Sequence, residues 1–96
     1  MSKLQVGLRY EDRLEGFSNY SPWKERIKLV LQVNRVWEFV EKAIKKPTDP
    51  KEIEVYEDLD TRARFIILDG VKDPLIHNIF GNNTTHEMWM DLQNNF

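Results

Sequence analysis

From residue 21 onward the apolar positions recur mostly at three- and four-residue steps, the spacing that lines one face of an α-helix. Ser21 followed by Pro22 predicts a first helix, with Ser as the N-cap and Pro at the first helical position. Trp23, Ile27, Val30 and Leu31 share its inner face. Leu29 and Val33 fall off that face, beside Arg26, towards either a second layer of the same domain or a neighbouring molecule. Asn34 is expected to end the helix in a left-handed conformation. A short second helix is expected over 35–45. Its stripe is Trp37, Val40 and Ile44, with Val36 and Ala43 beside it, and Pro47 stops it. Basic Lys42, Lys45 and Lys46 suit the negative end of its dipole.

The third helix has the clearest start. Asp49 is the cap, Pro50 follows, and Glu52 stands at the capping-box position. Ile53, Tyr56, Leu59, Ala63, Ile66 and Ile67 lead to Gly70, the expected terminator. Its end, Phe65-Ile66-Ile67-Leu68, is apolar on every side, which places it at the centre of a bundle. A fourth helix is expected from Asp73-Pro74 through Leu75, Ile76, Ile79 and Phe80, broken by Gly81-Asn82-Asn83. Thr84 and Glu87 form a capping box for a fifth, with Trp89, Leu92 and Phe96 as its stripe. The fold class is therefore all-α, a compact bundle of about five helices spanning 14–96, with Trp23, Trp37, Ile66 and Trp89 as core anchors. Residues 1–13 alternate Leu4, Val6, Leu8 and Tyr10 with polar or small residues. A lone strand is unstable, so they read as an extended N-terminal arm. The last stripe still runs at Phe96, which points to a fragment of a longer protein.

Ninety-six residues fit one domain. The absence of cysteine excludes disulfides and Cys-based zinc sites. Met1-Ser2-Lys3 begins no apolar run, so neither a signal peptide nor a membrane span is expected, and the protein reads as intracellular. The net charge of -2 hides an asymmetry: residues 1–48 carry +4 and residues 49–96 carry -6. Copies of such a chain can stack head to tail through complementary faces, unless both faces are simply solvated. Its acidity argues against duplex DNA as a partner.

No residue set assembles a catalytic or metal centre, so no enzyme activity, cofactor or small-molecule substrate is expected. His77 and His86 lack a ligand set in sequence. The acidic run Glu52, Glu54, Glu57, Asp58 and Asp60 spreads over the faces that the apolar stripe leaves to solvent. The tryptophans lie on buried stripes, where they serve packing rather than base stacking.

The order Leu14-x-Gly16-x-x-Asn19-Tyr20-x-x-Trp23-Lys24-x-Arg26 resembles the opening of the Gag polyprotein of Copia-type LTR retrotransposons. Trp37-Glu38-x-Val40, Ile66-Ile67-Leu68 with Val71-x-Asp73, and Thr84-x-x-Glu87-Met88-Trp89-x-x-Leu92 follow in the same order. The resemblance implies a capsid-like N-terminal domain whose copies assemble into cytoplasmic virus-like particles. It implies that element RNA is held only by downstream regions, and that the partner of this segment is a further copy of itself. The assembly surface is expected on exposed parts of the first helix, at Arg26, Leu29 and Val33 with Lys28 and Gln32 at the rim. The alternative is a domesticated Gag-derived adaptor that holds a linear peptide or host protein in a groove lined by Tyr20, Trp37 or Phe39.

Overall fold

The computed structural model describes residues 8–77 and 84–96. Trp23, Ile27 and Leu31 are fully buried and define the inner face of helix α1, Tyr20–Val33. The expected cap, Ser21, lies inside this helix. Asn19 holds the N-cap position but makes no side-chain cap bond. Its amide is used upstream instead: Nδ2 donates to the Arg13 carbonyl at 2.8 Å and Oδ1 accepts from the Glu15 N–H at 2.9 Å. A 3-10 turn at Phe17–Asn19 therefore runs directly into α1.

The end of α1 also differs from expectation. Asn34 stays right-handed (φ -86°), and the left-handed residue is Arg35 (φ 61°). The Val36 N–H reaches the Leu31 carbonyl at 3.0 Å and the Arg35 N–H reaches Gln32 at 3.0 Å, the two bonds of a Schellman stop. This turn delivers Val36 into the core, at full burial. An L-residue in this conformation is strained, and the strain is held by the packing of Val36.

Helix α2 is a single turn, Glu38–Glu41, and not the longer helix expected. Lys42 is already extended, so Pro47 does not end it. The departing chain instead places the Ile44 carbonyl 3.3 Å from the Tyr56 hydroxyl, which donates to it. Helix α3, Pro50–Asp69, begins at the predicted Asp49 cap and Pro50, with the Asp49 half of the expected capping box formed and no return bond from Glu52. The Asp49 carboxylate accepts from the N–H groups of Lys51 and Glu52 at 3.1 and 3.2 Å. Ile66 and Ile67 are fully buried, but Phe65 is 57% exposed, so the greasy end of α3 is not enclosed on every side.

Gly70 closes α3 with φ -85°, so it is not there for a left-handed turn. Its requirement is steric. A Cβ at this position would lie 2.8 Å from the buried Ile27 Cδ1 and 3.3 Å from the Ile66 main-chain carbonyl oxygen. Beyond it, Leu14 and Val71 form an isolated parallel bridge, and among the described residues there is no longer strand. Helix α4 is one turn, Asp73–Ile76, with Lys72 rather than Asp73 before it. Ile79, Phe80 and the Gly81-Asn82-Asn83 break lie outside the described residues. Helix α5, Thr85–Asn95, carries the complete Thr84–Glu87 capping box. The fold is all-α. In the described part of the arm, Leu8 packs on the core and Tyr10–Asp12 form a 3-10 turn, held by Arg9 Nε donating to Asp12 at 2.9 Å.

The core joins Leu14 and Val71 to α1, α2, α3 and α5. Trp23 stacks on Trp89 at 6.0 Å, and Trp37 meets Trp89 edge-on at 5.6 Å. Trp23, Ile66 and Trp89 are buried as anchors should be, whereas Trp37 is only half-buried. Trp23→Ala or Trp89→Ala is expected to cost about 3–5 kcal/mol, through lost transfer energy and the cavity left behind. Unchanged thermal melts would contradict the anchoring role. Gly70→Ala is expected to cost about 1–3 kcal/mol by overpacking against Ile27, readable as a lower urea midpoint at constant slope.

Candidate interaction surface

The buried stripe of α1 leaves the rest of the helix, including the flank beside half-buried Val30, to solvent. Arg26, Leu29 and Val33 follow there at steps of three and four, so they stand next to one another. Leu29 is 61% exposed and Val33 47% exposed. Of the two placements that the sequence left open for this pair, burial in a second layer of the same domain is therefore not the one observed. Gln32 is exposed beside them. Lys28 is partly withdrawn: its ammonium lies 5.2 Å from the centre of the Trp37 ring, a cation–π contact that covers the half-buried indole. Among the described residues Arg26 forms no ion pair, so this apolar pair is flanked by a free cation.

The three rings expected to line a peptide groove are not brought together. Tyr20 stacks on Phe96 at 6.1 Å and tilts against Trp23 at 6.0 Å. Burial pushes its phenol up from the usual tyrosine range, so it is neutral at physiological pH. Trp37 is held between Trp89 and Lys28. Phe39 is buried and packs on Tyr56 at 5.6 Å. It borders a cleft of only about 40 Å³, which neither Tyr20 nor Trp37 lines. That volume accepts little more than a water molecule.

Asp60 departs most from the sequence reading, which places it in the solvated acidic run. It is 8% exposed. Its carboxylate accepts from the Thr85 N–H at 3.3 Å and from the Thr85 hydroxyl at 2.7 Å, and faces Arg64 Nε at 3.3 Å. The signal was present but indirect. Asp60 lies one turn before buried Ala63 and two turns before buried Ile67, on the same side of α3. His86, one residue past Thr85, donates Nδ1–H to the Val40 carbonyl at 2.9 Å, and His77 is exposed. Among the described residues no group of three or more His, Cys, Asp or Glu side chains is placed to hold a metal ion. Nor is any helix there long and apolar enough to cross a membrane.

A second polar cluster sits at the Leu14–Val71 bridge. Lys72 pairs with Glu15, and that hydrogen bond raises the Lys72 pKa. Arg13 approaches Asp69 at 3.5 Å. Arg13 and Lys72 both lie over the Tyr10 ring, at 5.8 and 4.7 Å. These partly buried contacts clamp the turn before Leu14 to the end of α3.

One family model matches the chain, a domain of unknown function designated DUF4219. The match covers residues 14–41. This domain is found in retrotransposon Gag-like proteins. The matched segment runs from the bridge residue Leu14 through α1 to the end of α2, so it contains the whole exposed face described above. No curated protein and no solved structure is significantly similar to the chain.

Asp60→Ala is expected to destabilise the domain by about 1–3 kcal/mol, because the buried Thr85 N–H loses its acceptor, while the Thr85 hydroxyl keeps the Asp60 main-chain carbonyl at 3.0 Å. Glu57→Ala removes only the exposed 3.5 Å pair with Lys46 and is expected to shift stability by less than about 0.5 kcal/mol. Equal melting temperatures for the two variants would place Asp60 back on the solvated surface.

Proposed function

We propose that this chain is a self-associating structural domain of the capsid type, as in the Gag polyproteins of Copia-type retrotransposons. Its chemistry is protein–protein contact rather than catalysis. One observation carries the reading: Leu29 and Val33 stand exposed together, beside unpaired Arg26, on the side of α1 that the fold does not use. The family match over 14–41 supports it, since that domain occurs in Gag-like proteins and spans this face. A repeated weak contact of this kind builds closed rings and shells, because symmetry multiplies it. The partner is a further copy of the chain, the place of assembly is the cytoplasm, and RNA packaging belongs to regions other than residues 1–96. The adaptor reading has less support, since Tyr20, Trp37 and Phe39 are each committed to packing inside the domain.

Light scattering behind size exclusion, across a concentration series, tests the reading. The mass of the parent is expected to rise with concentration. Leu29→Asp is expected to hold the protein monomeric while leaving its melting temperature within a few degrees of the parent. Association that survives Leu29→Asp would remove α1 as the contact.

A further inference from the structure

We infer that the α1 face is received by the outer face of α3 on a second copy, so that copies join head to tail. The inference rests on the self-association reading and supplies the acceptor. On α3, Val55, Asp58, Arg62 and Phe65 follow at steps of three, four and three, a single stripe of the helix. Val55 and Phe65 are each 57% exposed. The stripe thus has an apolar residue at either end and a charged centre.

The two stripes match in spacing and in sign. Arg26 precedes exposed Val33 by seven residues on α1, and Asp58 precedes exposed Phe65 by seven on α3. Laid parallel, the helices set Arg26 against Asp58 with Glu54 one turn earlier, and Val33 against Phe65. Leu29 then covers the aliphatic stem of Arg62. Among the described residues Arg26 and Glu54 form no ion pair, and Asp58 is engaged only by the exposed 3.2 Å pair with Arg62. The charge of the two chain halves, +4 and -6, favours the same unlike pairing. A symmetric antiparallel contact of α1 with α1, centred on Leu29, would set Arg26 opposite Gln32. That arrangement gives the cation no acid and leaves Phe65 uncovered.

Inside one copy α1 and α3 pack on each other, and the two stripes are exposed parts of the same domain. A contact that joins the α1 face of one copy to the α3 face of the next, once per neighbouring pair, is heterologous. It propagates, into a ring or an open chain.

Two surface variants test this by complementation. Leu29→Asp disables the donor face, and Glu54→Lys with Phe65→Asp disables the acceptor face. Each protein alone is expected to be monomeric by light scattering. Mixed in equal amounts, they retain one intact donor and one intact acceptor, and the mass is expected to stop at two chains. In addition, Arg26→Glu is expected to weaken parent association at least tenfold, and Glu54→Lys with Asp58→Lys in the same chain to restore it. A misfolded variant cannot complement, so a complex of two chains also reports folding. An acceptor variant that assembles like the parent overturns the α3 assignment while the α1 reading stands. A mixture that stays monomeric, when each partner melts like the parent, also overturns it. A parent that is monomeric throughout overturns both readings.

Discussion

The Gly70 carbonyl is the point on which this fold depends. It accepts from the Leu14 N–H at 2.9 Å and from the Trp23 indole N–H at 2.7 Å, so both of its lone pairs are used. Those two donors lie at the entry to the domain and in the first turns of α1, while the acceptor ends α3. The Lys72 N–H returns to the Leu14 carbonyl at 3.1 Å and completes the bridge. Because position 70 has no Cβ, Ile27 fills the space beside it. A buried indole with its N–H satisfied has a fixed orientation. From that ring the order passes to Trp89 on α5, and from Trp89 to Trp37 beside α2.

A second tether sets the register of α5. Asp60 binds both the N–H and the hydroxyl of Thr85, so the first turn of α5 is fixed to the middle of α3. His86 adds a bond to the Val40 carbonyl of α2. With Trp89 and Leu92 buried below, the helix is located by polar contacts at its start and by packing along its length. Buried polar bonds of this kind are directional, and apolar packing alone is not. The aromatic ladder therefore meets in one arrangement.

Much of this architecture is legible in the sequence, because it follows from local rules. The Asp49-Pro50 start, the Thr84–Glu87 capping box and the burial of Trp23, Ile27, Leu31, Ile66, Ile67, Trp89 and Leu92 need only capping chemistry and helical period. What escapes is set by partners distant in sequence. Gly70 looks like a left-handed terminator, and its true constraint is the side chain of Ile27. Asp60 looks like one acid among five, and only Thr85, distant along the chain, explains its burial. Two other departures are local: Asn19 stands at the N-cap expected of Ser21 with its amide bonded to Arg13 and Glu15, and Arg35 takes the left-handed turn expected of Asn34. On the candidate surface, sequence places Arg26, Leu29 and Val33 off the inner stripe. It does not foretell that Lys28 is drawn to Trp37, or that the Tyr20, Trp37 and Phe39 rings are consumed by packing.

The family match and the folding unit have different boundaries, and the difference bears on where function resides. Residues 14–41 supply Leu14, Trp23, Ile27, Leu31, Val36 and Val40 to the core. The surfaces that bury them come largely from α3 and α5, and the Gly70 acceptor lies outside the match as well. A segment that exposes so many apolar groups without those partners cannot offset its own conformational entropy. The matched stretch is therefore one side of a larger domain, and its inner positions answer to that domain. Its outer positions do not. Single exposed apolar residues are ordinary on any protein surface. An adjacent pair flanked by an unpaired cation, on a helix whose opposite face already completes the core, contributes nothing to the fold that a polar pair would not. Under the proposed function such a pair contributes a contact outside the chain, carried by α1 rather than by the buried aromatic ladder.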